Sequence, residues 1–160
     1  RLGAVESGPM PNTPKGGFTV RAPVGAQMIP IDSLRQLIEL GVAGQIADAR
    51  SAGRFAGVDP EPRAGLRGGH MPGASNVPIA SLINQDGGLR SLDEIAAAFA
   101  AGGIETDQPV ITTCGSGVTA CGLALGLALL GNENVFVYDG SWSEWGASDA
   151  PIETGTPSPA

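Results

Sequence analysis

The feature of this sequence that most constrains its fold is a repeated alternation of short apolar strand segments with helical segments. Four segments have the length and apolar, β-branched character of strands: residues 45–50, 74–78, 109–114 and 134–140. Three segments are predicted to be helical: residues 31–40, 91–103 and 118–131. This alternation predicts an α/β fold with a mostly parallel sheet flanked by helices on both faces. Chemistry in such sheets sits at the carboxyl ends of strands.

The chain is long enough for one domain with one hydrophobic core, since it has 160 residues. Residues 1–17 are rich in Gly and Pro and lack an apolar period, so they are predicted to be a linker. Residues 18–152 are predicted to form the domain and residues 153–160 a tail. No secretory signal is apparent at the start of the sequence. The chain begins with Arg1 rather than Met, which suggests a processed product or a fragment of a longer protein.

Charge and cysteine usage exclude several kinds of partner. Nine Lys and Arg against sixteen Asp and Glu give a net charge of −7, so neither nucleic acid nor an anionic membrane is the expected partner. The most apolar segment, residues 119–130, is shorter than the about twenty residues of a membrane span and is predicted to be a buried helix.

Two cysteines cannot form a disulfide framework, which favours a reducing, cytoplasmic compartment. No clustered ligand set is present, so neither metal nor organic cofactor is expected.

Cys114 stands at the end of a predicted strand and is followed at once by Gly115, Ser116 and Gly117. Glycines allow the backbone conformations that other residues avoid, so the amides of residues 115–119 can converge on the sulfur. The N-terminus of the next helix adds its positive dipole end. We therefore expect a thiol with a depressed pKa that is largely thiolate. Most free cysteines are instead small buried hydrophobes, and the special backbone around this one favours the first interpretation.

The second cysteine, Cys121, lies within the apolar helix segment, with no loop and no cation beside it. It is expected to be structural. A disulfide with Cys114 is not expected, because strand end, loop and helix separate the two Cα atoms by more than the roughly 7 Å that a disulfide tolerates.

Four motifs together resemble the rhodanese family, in the family's order, over about residues 28–150. They are "DAR" at 48–50, "GHMPGASNVP" at 69–78, "CGSGVTA" at 114–120 and "YDGSWSEW" at 138–145. Within the family, the chain is most similar to the second, catalytic domain of the members that use 3-mercaptopyruvate. The resemblance implies a five-stranded parallel sheet with helices on both faces. It also implies that the cysteine loop holds a persulfide, with Cys114 as the sulfur carrier.

Members of the family usually carry two such domains in tandem, the first inactive, with the active site in the cleft between them. The resemblance therefore implies a partner that this chain lacks, an N-terminal rhodanese-like domain of the same protein. Residues 1–17 would then be the linker between the two. The other implied partners are a small-molecule sulfur donor and a thiol acceptor such as thioredoxin, with cyanide as an alternative acceptor.

The residues after the cysteine favour one donor. Family members that use thiosulfate carry two cations there, whereas this chain has Gly115 and Ser116. A loop of amides and one hydroxyl should prefer a donor whose charge lies away from the sulfur, as in 3-mercaptopyruvate. By the same resemblance Ser116 is a second catalytic candidate, with partners in the absent domain. The remaining residues of the persulfide loop are Gly115, Gly117, Val118 and Thr119.

Arg54 and Arg63 match the positions that bind the keto-acid end in the mercaptopyruvate-using members. Arginine suits that task, because its planar fork matches a carboxylate. The alternative is that both are ordinary surface charges, paired with Asp59 and Glu61. Two whole-chain alternatives also stay open: a thiosulfate sulfurtransferase, and an isolated half that is inactive without its partner domain.

Other polar and aromatic motif residues are expected to be structural. Arg50 and Asp48 should hydrogen-bond each other, and His70 belongs to a turn motif rather than acting as a base for the thiol. Trp142 and Trp145 are expected to pack, with each indole N–H finding a partner. Cysteine phosphatases are excluded, because they need a longer loop and an arginine, whereas this loop closes at an alanine.

Overall fold

The described part of the chain is built on one five-stranded, all-parallel sheet with the order β1-β5-β4-β2-β3. A computed structural model describes residues 26–155 together with residues 8, 9, 12, 14–17 and 19. The strands are β1 (Gln27–Met28), β2 (Gln45–Asp48), β3 (Ala74–Asn76), β4 (Val110–Thr113) and β5 (Val135–Val137). The α/β class and the five strands are therefore as expected. The linker predicted over residues 1–17 falls largely outside the described residues and stays a prediction.

Five α-helices connect and cover the strands in the described part of the chain. They are α1 (Ile31–Glu39), α2 (Ala52–Phe55), α3 (Leu92–Ala101), α4 (Val118–Leu129) and α5 (Ser141–Trp145). A 3-10 helix spans Ile79–Leu82. The three predicted helices are confirmed as α1, α3 and α4. The N-terminus of α3 is fixed by a capping box, in which Ser91 and Glu94 satisfy each other's backbone N–H groups.

The sheet separates two hydrophobic layers, which confirms helices on both faces. One layer contains Phe99 of α3 and Leu123 of α4, and the other contains Leu34 of α1 and Trp142 of α5. All four residues of β4 are buried, because this strand is central and covered on both faces. Its carboxyl end is therefore a fixed platform for the residue that follows it, Cys114.

The buried helix predicted over residues 119–130 is confirmed in part by helix α4. Only one side is buried, whereas Val118 is 75%, Leu125 50% and Leu129 45% exposed. Cys121 lies on that exposed side and not in the core, and its expected structural role stays a prediction. Because the helix is apolar on all sides, its sequence does not indicate which side faces the sheet. In the structure it packs against β4, β5 and the 3-10 helix. Across the described ranges no helix has the length and apolarity needed to traverse a lipid bilayer.

The expected tail begins later than residue 153. Glu153 forms an antiparallel bridge with His70, in which each backbone N–H donates to the other residue's carbonyl, at 2.8 and 2.9 Å. Gly155 N–H then donates to Ala56 O at 2.9 Å. The imidazole of His70 stacks on Phe55 with ring centroids 3.8 Å apart. The His70 turn is thus structural, and residues 156–160 lie outside the described part.

Candidate active site

Cys114 directly follows β4 and is only 1% exposed. It borders a pocket of about 280 Å³. Every candidate site residue except Gly117 lines this pocket: Arg54, Arg63, Cys114, Gly115, Ser116, Val118 and Thr119. Residues that lie sixty positions apart in sequence therefore meet at one end of the sheet, as parallel topology dictates.

Burial and four neighbouring hydrogen-bond donors set the pKa of Cys114. Burial raises the pKa of this thiol, but hydrogen bonds from the Thr119 hydroxyl, the N–H groups of Ser116 and Ala120, and the Ser141 hydroxyl lower it. The Ser116 nitrogen lies 3.4 Å and the Ser141 oxygen 3.8 Å from Sγ. The net effect leaves the pKa of Cys114 below its ordinary value, because these donors bind the charged form. The thiol is thereby poised as a nucleophile.

The donors around the sulfur differ in part from the amides of residues 115–119 that the glycine loop predicts. The N–H of Gly117 donates to Ser141 Oγ at 3.0 Å rather than to the sulfur. The N–H of Ala120, one position beyond the predicted range, does contribute. The reason is that Gly117 adopts a left-handed conformation, with φ of +84°, at the N-cap of α4. A Cβ at this position would lie 2.6 Å from Asp139 O, so glycine is required.

Ser141, at the start of α5, holds the cysteine loop in place but does not stand out in the sequence motifs. Its hydroxyl oxygen is buried and accepts hydrogen bonds from the N–H groups of Cys114 at 3.1 Å and Gly117 at 3.0 Å. Its single proton is shared between two acceptors, Tyr138 O at 2.9 Å and Cys114 Sγ at 3.8 Å. Ser141 has φ of +51°, an uncommon conformation for a residue other than glycine. Only the turn from β5 into α5 brings this hydroxyl under the loop.

A buried ion-pair network lies beside the pocket. Arg54 of α2 binds Glu61 through two hydrogen bonds, Nη2 to Oε2 at 2.6 Å and Nε to Oε1 at 3.2 Å. Glu61 also accepts from Arg50 Nη1 at 2.9 Å, and Arg50 in turn binds Asp48. The Arg50 guanidinium also lies over the Trp142 ring, 4.2 Å from its centroid. The structural roles predicted for Arg50 and Asp48 are confirmed.

Arg63 differs from Arg54 in its surroundings. Its Nη1 donates to Ser143 Oγ at 2.8 Å, and Ser143 Oγ donates to Gly115 O at 2.6 Å. Within the described residues Arg63 forms no ion pair with an acidic side chain. The alternative that both arginines are surface charges paired with acids therefore holds in part for Arg54, whose partner is Glu61. It does not hold for Arg63 within the described residues.

Gly115 is in close contact with Arg54. A Cβ at Gly115 would lie 2.8 Å from Arg54 Nη2, so a side chain there requires the guanidinium to move. A cation directly after the cysteine would also face the Arg54 cation. Arg54 can therefore lie over the loop because residue 115 has no side chain.

A larger cavity of about 620 Å³ lies at the opposite end of the sheet, near Gln45 and Pro109, where β2 and β4 begin. Its lining is mostly apolar, and Glu105 is the only ionisable residue among those that line it. The described residues of its lining include no nucleophile and no cation that could bind an anionic donor. The smaller pocket beside Cys114 is therefore the candidate active site.

Replacing Ser141 by Ala is expected to raise the pKa of Cys114, because one donor to the thiolate is lost. The rate of alkylation by iodoacetamide rises with pH as the thiol ionises. The midpoint pH of that rise should be higher in Ser141→Ala than in the unchanged protein. Two buried N–H groups also lose their acceptor, so stability should fall by about 1–3 kcal/mol for each of them. Ser81→Ala is the control, since that hydroxyl donates only to Pro78 O. An unchanged midpoint in Ser141→Ala would contradict its role at the sulfur.

The chain is similar in sequence to known proteins over most of the described domain. The family model described as the rhodanese-like domain matches residues 31–148. A 3-mercaptopyruvate sulfurtransferase of Escherichia coli K12 is 53% identical over 110 residues, which are 68% of this chain and 39% of the relative. A thiosulfate sulfurtransferase of Rattus norvegicus is 47% identical over 111 residues, 69% of this chain and 37% of the relative.

Among solved structures, the crystal structure of SseA from Escherichia coli is similar. It is 41% identical, with a TM-score of 0.60, and the match covers 74% of this chain and 43% of the SseA chain. SseA is described as a 3-mercaptopyruvate sulfotransferase with the rhodanese fold. This chain thus spans less than half the length of these relatives.

Proposed function

This chain belongs to the rhodanese-like domain family, and we propose that it transfers sulfur from 3-mercaptopyruvate to a thiol acceptor through a persulfide on Cys114. The observation that carries the proposal is the buried Cys114 thiol, with its lowered pKa, in one pocket with Arg54 and Arg63. A nucleophilic sulfur and two carboxylate-binding side chains at one site match a donor with a thiol at one end and a carboxylate at the other.

In the first half-reaction the Cys114 thiolate attacks the sulfur of 3-mercaptopyruvate. An S–S bond forms and the carbon–sulfur bond of the donor breaks, with its electron pair going to carbon. The donor's thiol proton ends on that carbon, so pyruvate leaves and the enzyme carries a Cys114 persulfide anion. Ser116 lines the pocket and is the proposed catalytic hydroxyl on the proton's path, with partners in the absent domain.

In the second half-reaction an acceptor thiol, such as thioredoxin, or cyanide attacks the outer sulfur, and the Cys114 thiolate leaves. Between the two steps the outer sulfur carries negative charge. The hydrogen-bond donors around Cys114, together with the N-terminus of α4, would stabilise that charge as an oxyanion hole stabilises oxygen. This chemistry uses no metal or dissociable cofactor, and it suits a reducing, cytoplasmic compartment.

Substrate binding is assigned to the two arginines. Arg63 is exposed beside the pocket and its guanidinium is not paired with an acid in the described part of the chain, so we assign it the donor's carboxylate. Glu61 holds Arg54 in place through Nε and Nη2, which leaves Nη1 to bind a donor. We therefore assign the donor's carbonyl to Arg54. The roles of Gly115, Gly117, Val118 and Thr119 are to form the persulfide loop.

A second candidate is thiosulfate sulfurtransferase activity, which the similarity to the rat thiosulfate sulfurtransferase favours. Gly115 and Ser116 favour mercaptopyruvate, because they place no cation beside the attacked sulfur. Since this chain spans less than half of its relatives' length, we also propose that an N-terminal rhodanese-like domain completes the cleft.

Intact mass spectrometry of the chain, before and after incubation with each donor, tests the proposal. Addition of one sulfur atom with release of one equivalent of pyruvate is the expected result for 3-mercaptopyruvate. Cyanide should then remove the added mass and form thiocyanate. If neither donor adds sulfur to the chain, even with the N-terminal domain restored, the proposed function is wrong.

A further inference from the structure

We propose that Glu61 determines which sulfur donors the pocket accepts, by cancelling the charge of Arg54 and so favouring donors with one negative charge over dianions. The proposal rests on the proposed sulfur transfer and deepens it. Glu61 is a specificity-determining residue in this view, although it need not touch the donor.

The carboxylate of Glu61 is placed to neutralise the arginines rather than to bind solvent. Its side chain is only 2% exposed, and its two oxygens accept three hydrogen bonds from Arg50 and Arg54. The Glu61 bonds raise the pKa of Arg54, whose side chain remains 26% exposed toward the pocket. Glu61 therefore pairs with the Arg54 guanidinium while that guanidinium still faces the donor.

The charge of the site follows from these contacts. The charged side chains lining the pocket, apart from the Cys114 thiolate, are Arg54, Glu61 and Arg63. Behind them Arg50 is neutralised by Asp48 at 2.7 Å. Glu61 cancels Arg54, so Arg63 is the one cation of the described pocket lining whose charge is not balanced by an ion pair.

One unbalanced cation beside a thiolate suits a donor with a single charge. In 3-mercaptopyruvate the carboxylate carries that charge, away from the thiol under attack. Thiosulfate brings two charges close to the sulfur that the Cys114 thiolate attacks, and like charges repel at short range. The pocket thus discriminates by charge as well as by shape.

Removing the charge of Glu61 without changing its shape tests the proposal. In Glu61→Gln the rate of sulfur uptake from thiosulfate, relative to that from 3-mercaptopyruvate, should rise by about fivefold at low salt. The gain should shrink as ionic strength increases, because a partly open site is screened. Mass spectrometry in single turnover gives both rates on the same protein.

Two further variants separate charge from structure. Glu61→Asp keeps the charge and should keep the donor ratio of the unchanged chain, even if its melting temperature falls. Asp59→Asn removes an equal charge from the same loop outside the pocket lining, and it should leave the ratio unchanged. A purely structural role for Glu61 would lower uptake from both donors in the Gln and Asp variants alike, and would overturn the proposal.

Adding a cation provides a second route if Glu61→Gln does not fold. Ser116 is exposed at the pocket, so Ser116→Lys adds one positive charge there, and Ser116→Gln is its neutral control. Both variants lack the Ser116 hydroxyl, so they are compared with each other, and the ratio of thiosulfate to mercaptopyruvate uptake should be higher in the Lys variant than in the Gln variant. Equal ratios in the two variants would refute control by charge. Sulfur uptake by the unchanged chain, in the same assay, shows separately whether the proposed transfer itself occurs.

Discussion

Replacing Cys114 by Ser is expected to abolish sulfur uptake from every donor. A serine hydroxyl is not ionised near neutral pH and cannot form the S–S bond that carries the transferred atom. The pocket itself should persist, because Ser is close to Cys in size and its oxygen can accept the same hydrogen bonds. Incubation with 3-mercaptopyruvate followed by intact mass spectrometry should therefore show no added sulfur and no pyruvate.

Cys121→Ser is the matched control, since Cys121 is the only other cysteine of the chain and is exposed on α4. This variant should take up sulfur at the rate of the unchanged protein. If sulfur uptake persists in Cys114→Ser but is lost in Cys121→Ser, Cys121 is the sulfur carrier. Such a result would contradict the chemistry proposed for the pocket.

The parts of the fold that the sequence predicts are those with a strong periodic signal. Helix α1, helix α3 and the central strand β4 combine clear apolar patterns with recognisable ends, and they occur where expected. Strand β1 is only two residues long and both are exposed, so no pattern could reveal it. Helix α5 has five residues and is held by the packing of its two tryptophans, a tertiary effect.

Those site residues whose reactivity or conformation is set by their neighbours in sequence could be predicted from the sequence. Cys114 and the glycine that opens α4 belong to this class, because strand end, turn and helix start are adjacent. Ser141 and Glu61 do not, since their importance depends on contacts with residues 7 to 27 positions away. Glu61 was recognisable only as a possible ion partner of an arginine. Its burial between two guanidinium groups required the folded loop.

Arg54 offers a less direct test of donor binding than Arg63. In Arg54→Lys the two-point contact with Glu61 is lost, so the loop between α2 and β3 is affected along with the donor site. A fall in activity would combine both effects. Arg63 is exposed and, among the residues that the structure describes, its side chain bonds only Ser143, so its replacement should leave the free energy of unfolding nearly unchanged.

Replacing Arg63 by Lys is expected to raise the concentration of 3-mercaptopyruvate that half-saturates sulfur uptake by about tenfold or more. The substitution keeps the charge but removes the planar fork that can bind a carboxylate through two bonds. Hydrogen bonds between charged groups contribute about 1.5–3 kcal/mol each, and about 1.4 kcal/mol corresponds to tenfold in affinity. Thiosulfate, which has no carboxylate, should be affected less. Arg90→Lys is the control, because Arg90 pairs with Glu94 away from the pocket. Equal losses for both donors in Arg63→Lys would mean that Arg63 supplies only general positive charge, and the carboxylate would then have to be bound by Arg54 or by the absent domain.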